Sequence, residues 1–329
     1  MNKRLNYLDY TKGLAILLLL LSHSIPHIDV LSTIIFAFHM PVFFLICGYL
    51  AYLKRNEGMS ILESSGYLKS RERNLFEPYV LFGLCLLCLF CIFDYAALGM
   101  ISEHTKQRIT SWIQLGGIES MWFLPVYFLA EFFFLLSRHY FRFYSLWIIP
   151  WIVTVAAFCL LGDKFVGAVV GNQLKNTLVG YVFVVIGYLS ARYKIEQRLK
   201  TTWAVVLFFC FCLASLRFGF MAIQDMKEPA LFFLEGTILS IALLSCFHHL
   251  GQLPQRWHSF LSFWGRNTII VVCTNNIIIE IIRLADYKVS GNFFMTHGST
   301  GDFLFFLLLT CCEALVITLI GNRFPRGKR

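Results

Sequence analysis

Charge is what this chain has least of. Only 14% of its 329 residues are Asp, Glu, Lys or Arg, against roughly 25% in an ordinary soluble domain. That scarcity excludes a water-soluble globule, whose surface must stay largely wetted. Acidic residues are the scarcer sign, 19 against 28 Lys and Arg, which leaves a net charge of +9. Strict apolar–polar alternation is also missing, which argues against a membrane β-barrel. No long polar insertion, low-complexity stretch or convincing internal repeat interrupts the chain. A disulfide framework is absent too, although the chain holds 11 cysteines, because all of them fall inside apolar runs, where Cys acts as a small hydrophobe. Cys85, Cys88 and Cys91 recur every third residue, but only Asp94 joins them. No metal site is expected there.

What is present is apolar bulk. Hydrophobic residues make up 58% of the chain, and Phe alone occurs 34 times. Lipid is the solvent that accepts such a surface, and continuous apolar runs of around 20 residues then become spanning helices. The expected fold is therefore all-α and polytopic, a single transmembrane domain over 1–329. Its ten candidate spans are 11–28, 33–53, 78–99, 120–137, 144–162, 177–191, 203–222, 230–248, 260–283 and 303–321. The first apolar run, Leu14 to Leu21, leads into Ser22-His23-Ser24 rather than a small-residue cleavage site, so it is expected to remain as the first helix. With both termini in the cytoplasm, the alternate inside segments hold 19 of the 28 basic residues, as the positive-inside rule requires. Dispersal over short membrane-flanking loops accounts for the basic balance and makes nucleic acid an unsuitable partner. Membrane lipids are the expected surroundings.

Ionisable residues inside spans are costly and are functional candidates by default. Lys12 and His23 stand eleven residues apart on the first span, about 16 Å along a helix. His39 lies a few residues into the second, antiparallel span, so the two histidines are expected at similar depth. Imidazole titrates near neutrality and suits removal of a proton from an attacking hydroxyl. The alternative for each ring is a packed histidine satisfied by a backbone carbonyl. Glu131 is the deepest carboxylate of the middle helices. It either orients a histidine or binds sugar hydroxyls, or it neutralises Arg217 as a structural pair. Glu235, Asn275, Asn276, Glu280 and Glu313 complete the intramembrane polar set. The basic run through Lys69, Arg71 and Arg73 leads straight into the third span. Such a cluster either holds an anionic cofactor or serves as a topology and lipid-headgroup signal.

The segment from Arg4 through Tyr7, Asp9 and Lys12-Gly13, followed by Ser22-His23-Ser24, resembles the acyltransferase-3 family of membrane O-acyltransferases. The hallmark of that family is Arg or Lys, ten intervening residues, then His. Phe38-His39-Met40-Pro41-Val42-Phe43-Phe44 and Cys47-Gly48-Tyr49 resemble its next signature, in which Ser often stands where Cys47 does. Arg71 and Arg73 before Pro78-Tyr79, and Trp122-Phe123-Leu124, match two further motifs. The resemblance is to the fucose 4-O-acetylase-like branch and covers most of the chain. One departure is clear: Gly265-Arg266-Asn267-Thr268 is similar to a family run that commonly reaches a histidine, and that position is Asn275 here. Asparagine binds a hydroxyl but is not a base near neutral pH.

The resemblance implies transfer of an acetyl group from cytoplasmic acetyl-CoA, with no metal, to a hydroxyl of a sugar or cell-surface glycan, free, lipid-linked or polymeric. It implies catalytic roles for His23, His39 and Glu131, donor binding by Lys12, Arg71 and Arg73, and acceptor binding by Trp122 and Asn275. It also implies the inner membrane of a bacterium. A transporter or flippase for a glycan or small molecule is the rival reading, weakened by the lack of an inverted repeat or paired Gly/Pro-broken spans. A polysaccharide polymerase or ligase, a class that tends to carry a large outer loop, fits the short loops here less well.

Overall fold

The computed structural model describes residues 5–24, 30–55, 65–140, 169–251, 253–290 and 299–321. Among these, every regular element is a helix. They are α1 (Asn6–Ser24), α2 (Val30–Arg55), α3 (Ser65–Leu98), α4 (Glu103–Ile113), a 3-10 turn (Glu119–Trp122) and α5 (Phe123–Tyr140). After these come α6 (Val169–Tyr193), a single helical turn at Ile195–Arg198, α7 (Thr201–Phe218), α8 (Pro229–Leu250), α9 (Gln255–Arg266), α10 (Thr268–Ser290) and α11 (Ser299–Ile320). The expected span 144–162 lies outside the described residues.

Seven helical stretches among the described residues are long and apolar enough to cross a membrane, and the bent pair α9–α10 makes an eighth. The chain is an all-α polytopic membrane protein. α1 falls short of the apolar requirement because Asp9, Lys12 and Ser22-His23-Ser24 dilute its leucines. It is nevertheless enclosed by α2, α8, α9, α10 and α11. The expected single span 260–283 is broken instead: α9 meets α10 at 76°. Asn267 makes this corner, its side-chain amide donating to Phe263 O at 2.7 Å, so that the helix ends and restarts. The helix α4 was not foreseen. Ser102 caps it by accepting from Thr105 N, and Asp94 accepts from Ser102 N and Oγ at 2.9 and 2.6 Å.

Two close crossings hold the centre. Helix α2 packs most extensively on α6, and α1 on α9. At the first crossing a Cβ on Gly48 would overlap Val184 O, and one on Gly187 would overlap Leu45 O. At the second, a Cβ on Gly13 would overlap Leu261 O, and one on Gly265 would overlap Asp9 O. Lipid tails are as apolar as the helices, so packing rather than water expulsion drives association, and small residues let the backbones meet. The rim is the reverse. Helices α7 and α11 are mostly exposed, with Phe209, Leu213 and Leu319 presented outward, as lipid-facing surfaces should be.

Candidate active site

His23 sits in the last turn of α1, and His39 in the third turn of the antiparallel α2. Both line one cavity of about 950 Å³. Its walls come from the facing ends of α1 and α2, the 3-10 turn, the segment after α7, the middle of α10 and the start of α11. Trp122 and Phe36 supply aromatic surface, and Ser22, Ser32 and Asn276 supply neutral polar groups. A concave site with apolar walls and a few convergent polar groups is the usual form of a small-molecule pocket.

The two imidazoles are held differently. His39 is buried, and its Nδ1 donates to Ile35 O at 2.8 Å, one helical turn back. A neutral ring whose Nδ1 carries the proton presents a lone pair at Nε2. That Nε2 is buried and, among the described residues, has no hydrogen-bond partner. The edge of the ring meets Phe36, centroids 5.0 Å apart, which restricts its rotation. His23 is less enclosed and lies within electrostatic range of Glu119 and Arg283. As the antiparallel hairpin leads one to expect, the two rings face one cavity.

A small polar lattice is built into the cavity wall. Ser120 Oγ accepts from Asn276 Nδ2 at 2.7 Å and reaches Asn275 Oδ1 at 2.8 Å and Val272 O at 3.0 Å. Asn275 also accepts from the backbone N–H of Asn276. The sequence assigned acceptor binding to Asn275, but its side chain is fully buried and stands outside the cavity lining. Its neighbour Asn276 lines the cavity instead. Successive helical residues differ by about 100° around the axis, so one position decides which of the pair faces the cavity.

Glu131 requires a larger correction. It neither orients a histidine nor pairs with Arg217, which is exposed near the end of α7. Its partner is Arg71: Arg71 Nε donates to Glu131 Oε2 at 2.7 Å, and the Nη2 atom contacts the same oxygen. The guanidinium lies 5.6 Å from the Tyr127 ring centre, and Cys47 adjoins Tyr127 and Glu131. Glu131 stands nine positions beyond Trp122, about 13 Å of helix, so this pair lies below the cavity and not in its lining.

The remaining basic candidates are also accounted for. Lys12 Nζ contacts Asp9 Oδ1 at 3.0 Å, and Arg266 Nε lies 3.6 Å from Asp9 Oδ2. A buried carboxylate therefore sits between two cations where α1 crosses α9. Arg73 is separate from Arg71; it is 61% exposed and reaches Glu77 at 3.3 Å one turn on. The structure thus brings His23, His39 and Trp122 together, joins Arg71 to Glu131 elsewhere, and places Lys12 and Arg73 away from both. Sequence reasoning missed Arg108, Glu119, Asp225 and Asp302, which all line the cavity. All four fall in segments where nothing in the spacing suggests convergence.

A family model described as an acyltransferase domain matches residues 5–321. No curated protein and no solved structure matches the chain. The matched stretch takes in both histidine-bearing helices, the cavity and the basic end of α3. The chain belongs to the acyltransferase-3 family and is a membrane acyltransferase.

Proposed function

We propose that this protein transfers an acetyl group from acetyl-CoA to a hydroxyl of a sugar or cell-surface glycan, in the inner membrane of a bacterium. The observation that carries the reading is the convergence of His23 and His39 on one cavity, where the buried Nε2 of His39 has no hydrogen-bond partner among the described residues. The resemblance to the fucose 4-O-acetylase-like branch supports a sugar acceptor.

His23, the more accessible ring, takes the proton of the acceptor hydroxyl as its oxygen attacks the thioester carbonyl. The carbon–sulfur bond then breaks, and the coenzyme A thiolate recovers the proton from the imidazolium. General bases of this kind contribute about 10²–10⁴-fold. His39 Nε2 accepts a hydrogen bond from a second acceptor hydroxyl and orients it, while Trp122 and Asn276 offer a stacking face and an amide. Lys12, Arg71 and Arg73 stand toward the far ends of their helices from the cavity. We assign the donor's phosphates to Arg73, the exposed one of the three, since Lys12 and Arg71 are held by Asp9 and Glu131.

The test supplies membranes containing the protein with acetyl-CoA labelled in the acetyl carbonyl and with bacterial glycans. Alkali-labile label bound to glycan supports the reading. Labelled acetyl-CoA consumed without any glycan ester, or glycan moved across the membrane unmodified, contradicts it.

A further inference from the structure

The cavity is unequal in charge. Four carboxylates line it, Glu119, Asp225, Glu280 and Asp302, against two guanidiniums, Arg108 and Arg283. Both guanidiniums are engaged with carboxylates. Arg108 Nη2 lies 2.9 Å from Glu119 Oε1, and Arg283 Nη1 lies 3.6 Å from Glu280 Oε1. Arg108 is further occupied by the Phe90 ring, 4.0 Å from its centroid. Asp225 has a partial counter-charge in Lys175, which itself donates to Gln224 O at 3.0 Å. Asp302 Oδ1 is buried and has no hydrogen-bond partner among the described residues. His39 Nε2, on the opposite wall, is a second buried acceptor in the same condition. A buried acceptor left unsatisfied costs free energy that a donor restores. Arg108 Nε is a buried donor that also has no hydrogen-bond partner among the described residues. Against that one donor stand two such acceptors, so the cavity asks more for donors than for acceptors.

We infer that the cavity selects an acceptor rich in hydroxyl or amino donors and lacking an anionic group, and that Asp302 binds one of those donors. This rests on the sugar-acceptor reading above and narrows its substrate class to neutral and amino sugars. A uronic acid or phosphorylated sugar would bring its charge against Asp302 and Asp225 with the two arginines already paired, which is discrimination by repulsion as well as by fit. Neutral hydroxyls donate to carboxylates, and an ammonium does so more strongly.

The experiment reads binding without a donor, so it stands apart from transfer. The purified full-length protein in detergent is titrated with methyl glucoside, methyl glucosaminide and methyl glucuronide, which differ at one substituent. The glucoside and the glucosaminide are expected to bind about tenfold or more tightly than the glucuronide, and the gap should narrow as salt screens the carboxylates. Asp302→Asn, which keeps shape, should weaken the glucosaminide most, and Asp302→Lys should close the gap. Equal or tighter binding of the glucuronide overturns the inference, as does failure of all three to bind, or a gap unmoved by both substitutions. Selective binding with no acetyl transfer in the labelled assay would sink the enzymatic reading and leave the charge selectivity intact.

Discussion

The histidine cavity and the Arg71–Glu131 pair both place ionisable groups within the bundle, and they treat them oppositely. The pair is closed. Arg71 gives Nε and Nη2 to one carboxylate oxygen, and the aromatic ring of Tyr127 covers the guanidinium. The cavity is open: His39 Nε2 and Asp302 Oδ1 have no partners among the described residues, and His23 faces empty volume. An intramembrane charge marks function only when its bonding is incomplete. When its partner is supplied by another helix of the same chain, it is framework.

The comparison breaks most visibly through the mutants that separate stability from activity. Replacing His23 by Ala is expected to lower transfer by at least about 100-fold with little change in thermal stability, because nothing in the fold leans on that ring. Replacing Arg71 by Ala should do the reverse. It takes the guanidinium away from a buried carboxylate, at a cost of about 3–5 kcal/mol, read as lost thermal stability and reduced folded protein in the membrane. Should Arg71→Ala fold normally and lose only activity, the pair would belong to the chemistry.

A second group of substitutions tests the framework around both regions. Gly48→Leu would force α2 away from α6, since its Cβ has no room beside Val184 O. Overpacking of this kind costs about 1–3 kcal/mol or more, and a rise in protease sensitivity would report it. His39→Gln keeps a polar side chain but loses the ring nitrogen. Weaker acceptor binding, seen as a raised KM with a smaller loss in kcat, is the expected result. Arg73→Ala is the mildest: an exposed i,i+4 pair is worth about 0.3–0.5 kcal/mol, so stability should hold, while the KM for acetyl-CoA should rise modestly.

Much of this was readable from residues alone. The apolar runs, the basic loops and the antiparallel hairpin that aligns His23 with His39 all follow from local spacing and the solvent properties of lipid. Three features did not follow, each for a physical reason. The pairing of Arg71 with Glu131 joins residues 60 positions apart, and helix spacing carries no information about which foreign helix arrives alongside. The choice of Asn276 over Asn275 at the cavity rests on the rotation of α10, which is set by the corner at Asn267. The acidic residues at the rim sit in elements whose convergence is tertiary, so in sequence they look like solvated loop or helix-end charges.

The central claim is that an imidazole on the cavity wall accepts the proton of the acceptor hydroxyl. Its most direct measurement compares acetyl transfer by wild-type and His23→Ala proteins in membranes holding equal amounts of folded enzyme, across pH 5–9. The account predicts that the mutant loses nearly all transfer at every pH in that range. Transfer by the mutant at the wild-type rate, with the same dependence on pH, would contradict it.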